Sequence, residues 1–169
     1  MKRITCLLLL LLLINLQSYA QSTSSLKVRS IGYGFGFFGT EGGDGGLSGI
    51  LELTVAENKN LFLVNYLAGS AVVIFGPNIS VNELNLQYGR EFKASNWFSV
   101  ECYAGVGYFQ QEKKGSYTSE TLFSGASLPL RFKMIFYTGK HFALVSNTNM
   151  ALNSFGTNYS SNLTFQHHF

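Results

Sequence analysis

The feature of this sequence that most limits its fold is a regular alternation of apolar with small or polar residues. In the stretch RSIGYGFGFF one side of the alternation is wholly apolar: Ile31, Tyr33, Phe35 and Phe37. A period of two is typical of a β-strand with two unlike faces. The same period recurs in ELNLQYGREF, FSVECYAGVGY, SLPLRFKMIF and the final residues. No comparable stretch repeats its apolar residues at helical spacing, so the sequence predicts an all-β protein.

The alternation defines eight candidate strands, near residues 26–38, 46–56, 60–74, 79–92, 97–110, 121–136, 141–152 and 158–169. Two of them leave the register open, because one is apolar on both faces (60–74) and the other has an uncertain parity (141–152). The short links ENKN, KASN and YTGK alternate with GTEGGDGG, GPN, QEKKGSYTSE and NSFGT. Short periplasmic turns and longer outer loops are typical of transmembrane barrels, and an even strand number places both termini on one side.

The first 20 residues have the layout of a secretory signal peptide. A basic start, MKR, is followed by an apolar run and by the small residues of QSYA. The alternative is a membrane-spanning helix, which needs about 20 apolar residues. We therefore expect residues 1–20 to be cleaved and residues 21–169 to form one exported domain. Cys102 is the one cysteine after the leader, so no internal disulfide is expected.

Composition favours a lipid environment for this domain. Charged residues make up 12% of the chain and aromatic residues 15%, which is a poor surface for a soluble protein. Lys2 and Arg3 belong to the leader, so the remainder is close to neutral and no nucleic-acid partner is expected.

The lipid environment also implies that the sheet closes into a barrel. An open sheet would leave unpaired edge groups in lipid, whereas a closed one would not. The predicted fold is an eight-stranded antiparallel transmembrane β-barrel, an up-and-down meander with a narrow lumen of small and polar residues. A soluble lipocalin-like barrel with reversed faces is the alternative. Aromatic residues near the strand ends favour the membrane.

The last residues, SNLTFQHHF, continue the alternation up to a terminal aromatic residue. One side carries Tyr159, Leu163, Phe165 and Phe169. This pattern resembles the final strand of small outer-membrane barrels of the OmpA/OmpX type, in which it is recognised by the barrel-assembly machinery. His167 departs from it, because the family usually has a more apolar residue there. The resemblance implies the outer membrane of a Gram-negative-type bacterium, contact with its lipid and lipopolysaccharide, and assembly by that machinery. The oligomeric state stays open, with a monomer favoured.

Five charged residues have the parity of the lumen: Glu52, Glu83, Glu101, Arg131 and Lys133. Charges inside a narrow barrel must be paired or hydrated. Because Glu101 and Arg131 lie on neighbouring strands, we expect them to pair. The set is interpreted either as a structural plug or as a gate for ions.

Three further patterns resemble sites that bind a cofactor or a metal or carry out catalysis. GFGFFG matches G-x-G-x-x-G, but no helical pattern follows it, so no cofactor is expected. His167 and His168 point to opposite faces of a strand, so no metal site is expected. Ser146 and Asn147 faintly resemble the active stretch of outer-membrane lipid A deacylases. Leu144 stands where their histidine base should be, so we expect no enzyme.

These observations predict a structural or surface-interaction protein. Loops 39–46 and 111–120 would face outward and contact lipopolysaccharide or an external ligand. The alternative is a narrow porin-like channel for ions or small solutes, lined by Glu52, Glu101, Arg131 and Lys133. A lipid A-modifying enzyme is the less favoured third class.

Overall fold

The computed structural model describes residues 26–71, 78–114 and 121–169, and they form a closed antiparallel barrel. Each strand pairs with its neighbours in chain order, and the first pairs with the last. None of the described residues forms a helix long and apolar enough to cross a membrane. The predicted eight-stranded meander is confirmed. Its strands are β1 (Lys27–Thr40), β2 (Gly45–Glu57), β3 (Asn60–Ala71), β4 (Asn78–Lys93), β5 (Phe98–Lys114), β6 (Thr121–Tyr137), β7 (Phe142–Asn153) and β8 (Gly156–His168).

The two faces of the sheet have the predicted polarity. Tyr33, Phe35 and Phe37 are 63–67% exposed on the outside, while polar side chains such as Asn85 and Gln87 are buried inside. A soluble barrel that binds apolar ligands would have the reverse arrangement, so the lipocalin-like alternative is wrong. The outer surface is suited to hydrocarbon and the inner surface to hydrogen bonding.

The barrel has two unlike ends. The termini end carries the start of β1, the end of β8 and the short turns near residues 58–59, 94–97 and 138–141, and the loop end carries the connections at residues 41–44 and 154–155. At the termini end, Trp97 and Phe98 pack with Phe136, and Phe62 packs with Tyr88. Clusters of aromatic side chains at such a rim are typical of the interfacial girdles of membrane barrels.

The two strands with open registers are now placed. In β3, Leu61, Leu63 and Leu67 point inward, and residues 72–74 of the predicted strand lie outside the described ranges. In β7, the buried side begins with Ala143 and Val145 and continues with asparagines. Apolar residues inside a polar lumen, leucines in β3 and alanine and valine in β7, blur the alternation, which is why the sequence left both registers open.

Apolar side chains pack inside the lumen near both ends. At the loop end, Phe38 packs with Ala71, Ile79 and Val81. Two clusters lie toward the termini end, one of Leu61, Leu63 and Tyr103 and the other of Ile135, Ala143 and Val145. Since eight strands enclose little more space than side chains can fill, the barrel interior is a packed core.

Inward-facing glycines let β1 and β8 approach closely where the barrel closes. A Cβ on Gly36 would lie 2.0 Å from the carbonyl oxygen of Ser161, and one on Gly34 would lie 2.3 Å from that of Leu163. No side chain fits at these separations. The glycines of β1 therefore relieve crowding at the closing seam.

Candidate functional site

A buried carboxylate links opposite walls of the barrel. Glu52 on β2 accepts hydrogen bonds from Arg131 Nη1 and, at 2.9 Å, from Lys133 Nζ, both on β6. None of these three side chains is exposed to solvent. Arg131 and Lys133 share this one carboxylate. Their remaining N–H donors therefore need other acceptors inside the lumen.

Amide side chains supply part of that need. Asn65 Oδ1 accepts from Arg131 Nη2 at 2.9 Å and from Asn85 Nδ2 at 3.2 Å. The Nδ2 atom of Asn65 donates to Gln87 Oε1 at 2.9 Å, and Gln87 Nε2 donates to the carbonyl of Pro129 at 3.4 Å. Strands β3, β4 and β6 are thereby connected through the lumen by buried hydrogen bonds.

A second group of charges lies closer to the termini end. Arg29 contacts Glu91 at 2.7 Å and Glu101 at 3.3 Å. Glu101 also accepts from Tyr103 Oη at 2.6 Å and lies 3.9 Å from Lys133 Nζ. Lys133 therefore joins the two groups into one network, whose charges balance. Its members are the basic residues Arg29, Arg131 and Lys133 and the acidic residues Glu52, Glu91 and Glu101.

The predicted pair of Glu101 with Arg131 is wrong. The register of β5 and β6 places Glu101 opposite Lys133 and Tyr103 opposite Arg131. Arg131 instead reaches across the lumen to Glu52. Adjacency of the strands was predicted correctly, but the choice of partner depends on the register and on the far wall.

Two members of the network, Arg29 and Glu91, were not predicted from the sequence. Arg29 has outward parity in a regular strand, but the register of β1 shifts between Val28 and Ser30. Only the structure reveals that irregularity. Glu91, in contrast, continues the inward series of Glu83, Asn85 and Gln87, so its parity was a usable signal.

Glu83 is buried but stands apart from the network. Its Oε1 accepts from Asn158 Nδ2 at 3.1 Å, across the lumen. In the ladder it lies between Leu67 and Phe109, both of which are inward-facing and buried. The five predicted lumen residues are therefore all inside, four in one network and Glu83 above it toward the loop end.

The loop end carries a small mixed surface. Lys113 Nζ contacts Asp44 at 3.1 Å, and Glu41 Oε2 accepts from the backbone N–H of Thr157. A cavity of about 110 Å³ lies here, and Glu41, Asp44 and Asn158 are among its lining residues. Residues 115–120 of the predicted contact loop lie outside the described ranges. Half of the predicted loop 39–46 belongs to the ends of β1 and β2, and residues 41–44 connect the two strands.

The other chemical candidates occupy the sheet surface. Ser146 faces outward into a groove that it shares with Phe35, Phe37, Ser161 and Leu163, and no acid or base is among the described lining residues. The three glycines of GFGFFG lie within β1, with no helix after them.

The histidines lie near the termini end. His141 and His167 stack with ring centroids 6.0 Å apart. No cluster of three or more metal-binding side chains occurs within the described residues.

The final strand presents its predicted apolar side to the outside. Tyr159, Leu163, Phe165 and Phe169 are all exposed. Phe165 packs on Tyr33 of β1 with ring centroids 6.0 Å apart, and the backbone N–H of Phe169 donates to the carbonyl oxygen of Arg29 at 3.0 Å. The parity of the pattern is confirmed, and its recognition by assembly machinery stays a prediction.

A closed eight-stranded barrel with an apolar exterior and a packed polar lumen has the architecture of small outer-membrane barrels. No family model matches this sequence, and a search of curated proteins gives no match either.

Several solved structures have a fold similar to that of this chain. Neisserial surface protein A aligns with a TM-score of 0.67 at 10% identity, over 84% of this chain and 96% of that one. The N-terminal barrel domain of Pseudomonas aeruginosa OprF gives 0.65 at 12%, over 86% and 100%. Ail of Yersinia pestis, solved with the heparin analogue sucrose octasulfate, gives 0.58 at 11%, over 83% and 95%. At these identities the shared property is the fold.

Proposed function

We propose that this protein is an outer-membrane barrel of a Gram-negative-type bacterium, with a structural or surface-interaction role exercised at its loop end. The observation that carries the proposal is the network of buried ion pairs inside the lumen. Glu52, Arg131 and Lys133 have no exposed side-chain surface, so the barrel acts as a rigid body. A rigid transmembrane body contributes an anchor, and contacts with other molecules fall to its ends.

The outer surface supports the location. Large apolar side chains cover it on every strand, from Tyr33 and Phe35 on β1 to Leu163 and Phe165 on β8. Such a contiguous apolar belt is far larger than the apolar patches that soluble proteins normally expose to water. The predicted signal peptide at residues 1–20 lies outside the described ranges, and the proposed route of export rests on it.

Lipopolysaccharide, or another anionic external ligand, is the proposed contact of the loop end. Lys113 is partly exposed there, and its ion pair with Asp44 is open enough to be replaced by a phosphate or sulfate. Lys114 follows it in sequence and adds a second positive charge. The complex of Ail with a sulfated sugar shows that one barrel of this fold binds such a ligand, which supports the proposal by analogy.

The test is a binding measurement with purified, refolded barrel. We expect the double variant Lys113→Gln/Lys114→Gln to bind lipopolysaccharide several-fold more weakly than the wild type. The matched control, Lys59→Gln/Lys140→Gln, removes two positive charges at the termini end and should leave binding unchanged. Equal binding by all three proteins would contradict the proposal, as would equal loss in both variants.

A narrow channel is the second candidate, and one observation favours it. The lumen charges form a continuous column from Arg29 to Arg131, through Lys133 and Glu52, and ion pairs can exchange partners. Their complete burial favours a closed lumen. Planar-bilayer conductance of the wild type and of Arg131→Ala separates the two functions. Current in either protein would support the channel, and its absence from both would exclude it.

The lipid A-modifying activity is the third candidate and has the least support. Ser146 lies at membrane depth on the outer face, but the described residues that line its groove supply no base. We expect no fatty acid to be released when the refolded protein is incubated with lipid A. Release that is lost in Ser146→Ala would restore the enzyme interpretation.

A further inference from the structure

We propose that the loop-end half of the lumen binds one monovalent alkali cation against the carboxylate of Glu83. This site goes beyond the proposed surface role, because it lies inside the barrel and serves the barrel itself. Its ligands are side-chain oxygens from four strands. The cation neutralises a buried charge that the protein does not neutralise with its own side chains.

The charge balance of the lumen leaves the carboxylate of Glu83 without a basic partner among the described residues. In the described residues, the acidic and basic groups of the network pair with one another, whereas Glu83 contacts no basic side chain. Arg131 is near enough to act on it electrostatically, but its guanidinium is bonded to Glu52 and Asn65. Glu83 is only 3% exposed. An ionised carboxylate in such surroundings is costly unless a positive charge compensates it.

The same half of the lumen also holds a set of unpaired oxygen atoms. Five buried oxygens in this part of the lumen have no hydrogen-bond partner among the described residues. They are Glu83 Oε2, Asn85 Oδ1, Ser127 Oγ, Asn149 Oδ1 and Ser160 Oγ. Most buried polar atoms in proteins are satisfied, so a group of unpaired oxygens needs an explanation.

These oxygens belong to one belt of the lumen. A Cβ on Gly107 would lie 1.9 Å from Asn85 Oδ1 and 2.7 Å from Ser127 Oγ, so both oxygens converge over this glycine. Asn149 and Ser160 are opposite each other in the ladder of β7 and β8. Ser160 has the same inward parity as Asn158, which contacts Glu83 directly.

The chemistry of the belt selects the ligand. Carboxylate, amide and hydroxyl oxygens are hard ligands that can replace the hydration shell of an alkali cation. One carboxylate among otherwise neutral oxygens balances a single positive charge. Divalent ions usually require more carboxylates than this site offers. Asn158 also lines the cavity at the loop end, which gives the ion a route of entry.

The direct test is a crystal structure of the barrel grown in rubidium chloride, with anomalous scattering used to locate the ion. We expect an anomalous peak beside Glu83 in the wild type and no peak there in Glu83→Gln. The matched control is Glu41→Gln, which removes a carboxylate at the mouth and should keep the peak. Ser127→Ala supplies a second lumen variant and should weaken it.

A stability measurement gives an independent readout. At equal ionic strength, we expect the urea midpoint of the wild type to be higher in rubidium chloride than in N-methyl-D-glucamine chloride, because a bound ion stabilises the folded state. Glu83→Gln should unfold at the same midpoint in both salts. The proposal would be overturned by water alone beside Glu83, by a peak that survives in Glu83→Gln, or by a wild type indifferent to the cation.

Discussion

Arg131 on β6 and Glu52 on β2 meet across the lumen, although three strands lie between β2 and β6 along either wall of the barrel. Lys133 binds the second oxygen of the same carboxylate. The contact therefore links opposite walls, which the backbone ladder connects only through intervening strands. Its full burial makes it sensitive to the loss of any one partner, because the remaining charges would have no water around them.

Glu52→Gln should destabilise the barrel strongly. The substitution keeps the shape of the side chain but leaves Arg131 and Lys133 buried without their shared carboxylate, at a cost of about 3–5 kcal/mol. Urea unfolding in lipid vesicles, followed by the fluorescence of the single tryptophan, measures the change. Asp44→Asn breaks a partly exposed pair at the loop end and should cost less than about 1 kcal/mol. Equal losses in the two variants would contradict this account of the network.

A charge on the outer face should be penalised according to its depth. Leu86 faces outward near the middle of β4, and Phe92 faces outward close to the end of the same strand. We expect Leu86→Arg to cost about 2–4 kcal/mol and Phe92→Arg about 0–1 kcal/mol, because the hydrocarbon is thickest at the midplane. The same unfolding measurement in vesicles applies. A pair of equal values, or the reverse order, would show that β4 does not span the membrane as its pattern implies.

The fold could be predicted from the sequence because period-two alternation follows from the geometry of a single strand. It requires no knowledge of contacts with other strands. Each strand whose inward residues are small or polar, such as β1 and β8, was placed with the correct face. The ion pairs were less accessible, since they depend on contacts across the lumen. Parity placed Glu101 and Arg131 inside, but the register of β5 and β6 assigns them different neighbours. Arg29 joins the lumen network because of a local register shift in β1, which its residue type does not predict.

The closing seam between β1 and β8 should not tolerate side chains. Gly36→Ala would bring its Cβ against the backbone of Ser161, and we expect a loss of about 1–3 kcal/mol from the overpacking. Gly49→Ala is the matched control, since the nearest atom to its Cβ is 3.9 Å away. That variant should be neutral or slightly stabilising, because alanine restricts the unfolded chain. On an unboiled gel, the fraction of each protein that migrates as a folded barrel would rank the two variants. The opposite ranking would contradict the crowding at Gly36.

Phe169→Ser should separate assembly in the cell from folding in the tube. The side chain of Phe169 is exposed and contacts mainly His167, so its loss removes little packing and should leave refolding into detergent almost unchanged. In cells we expect a several-fold drop in membrane-inserted barrel, because the terminal aromatic is the proposed signal for the assembly machinery. Trp97→Ser is the control, since it removes an exposed aromatic at the same end from a turn outside the last strand. Comparable insertion of both variants would mean that Phe169 serves only the interfacial girdle. Parallel losses in cells and in detergent would assign it to stability.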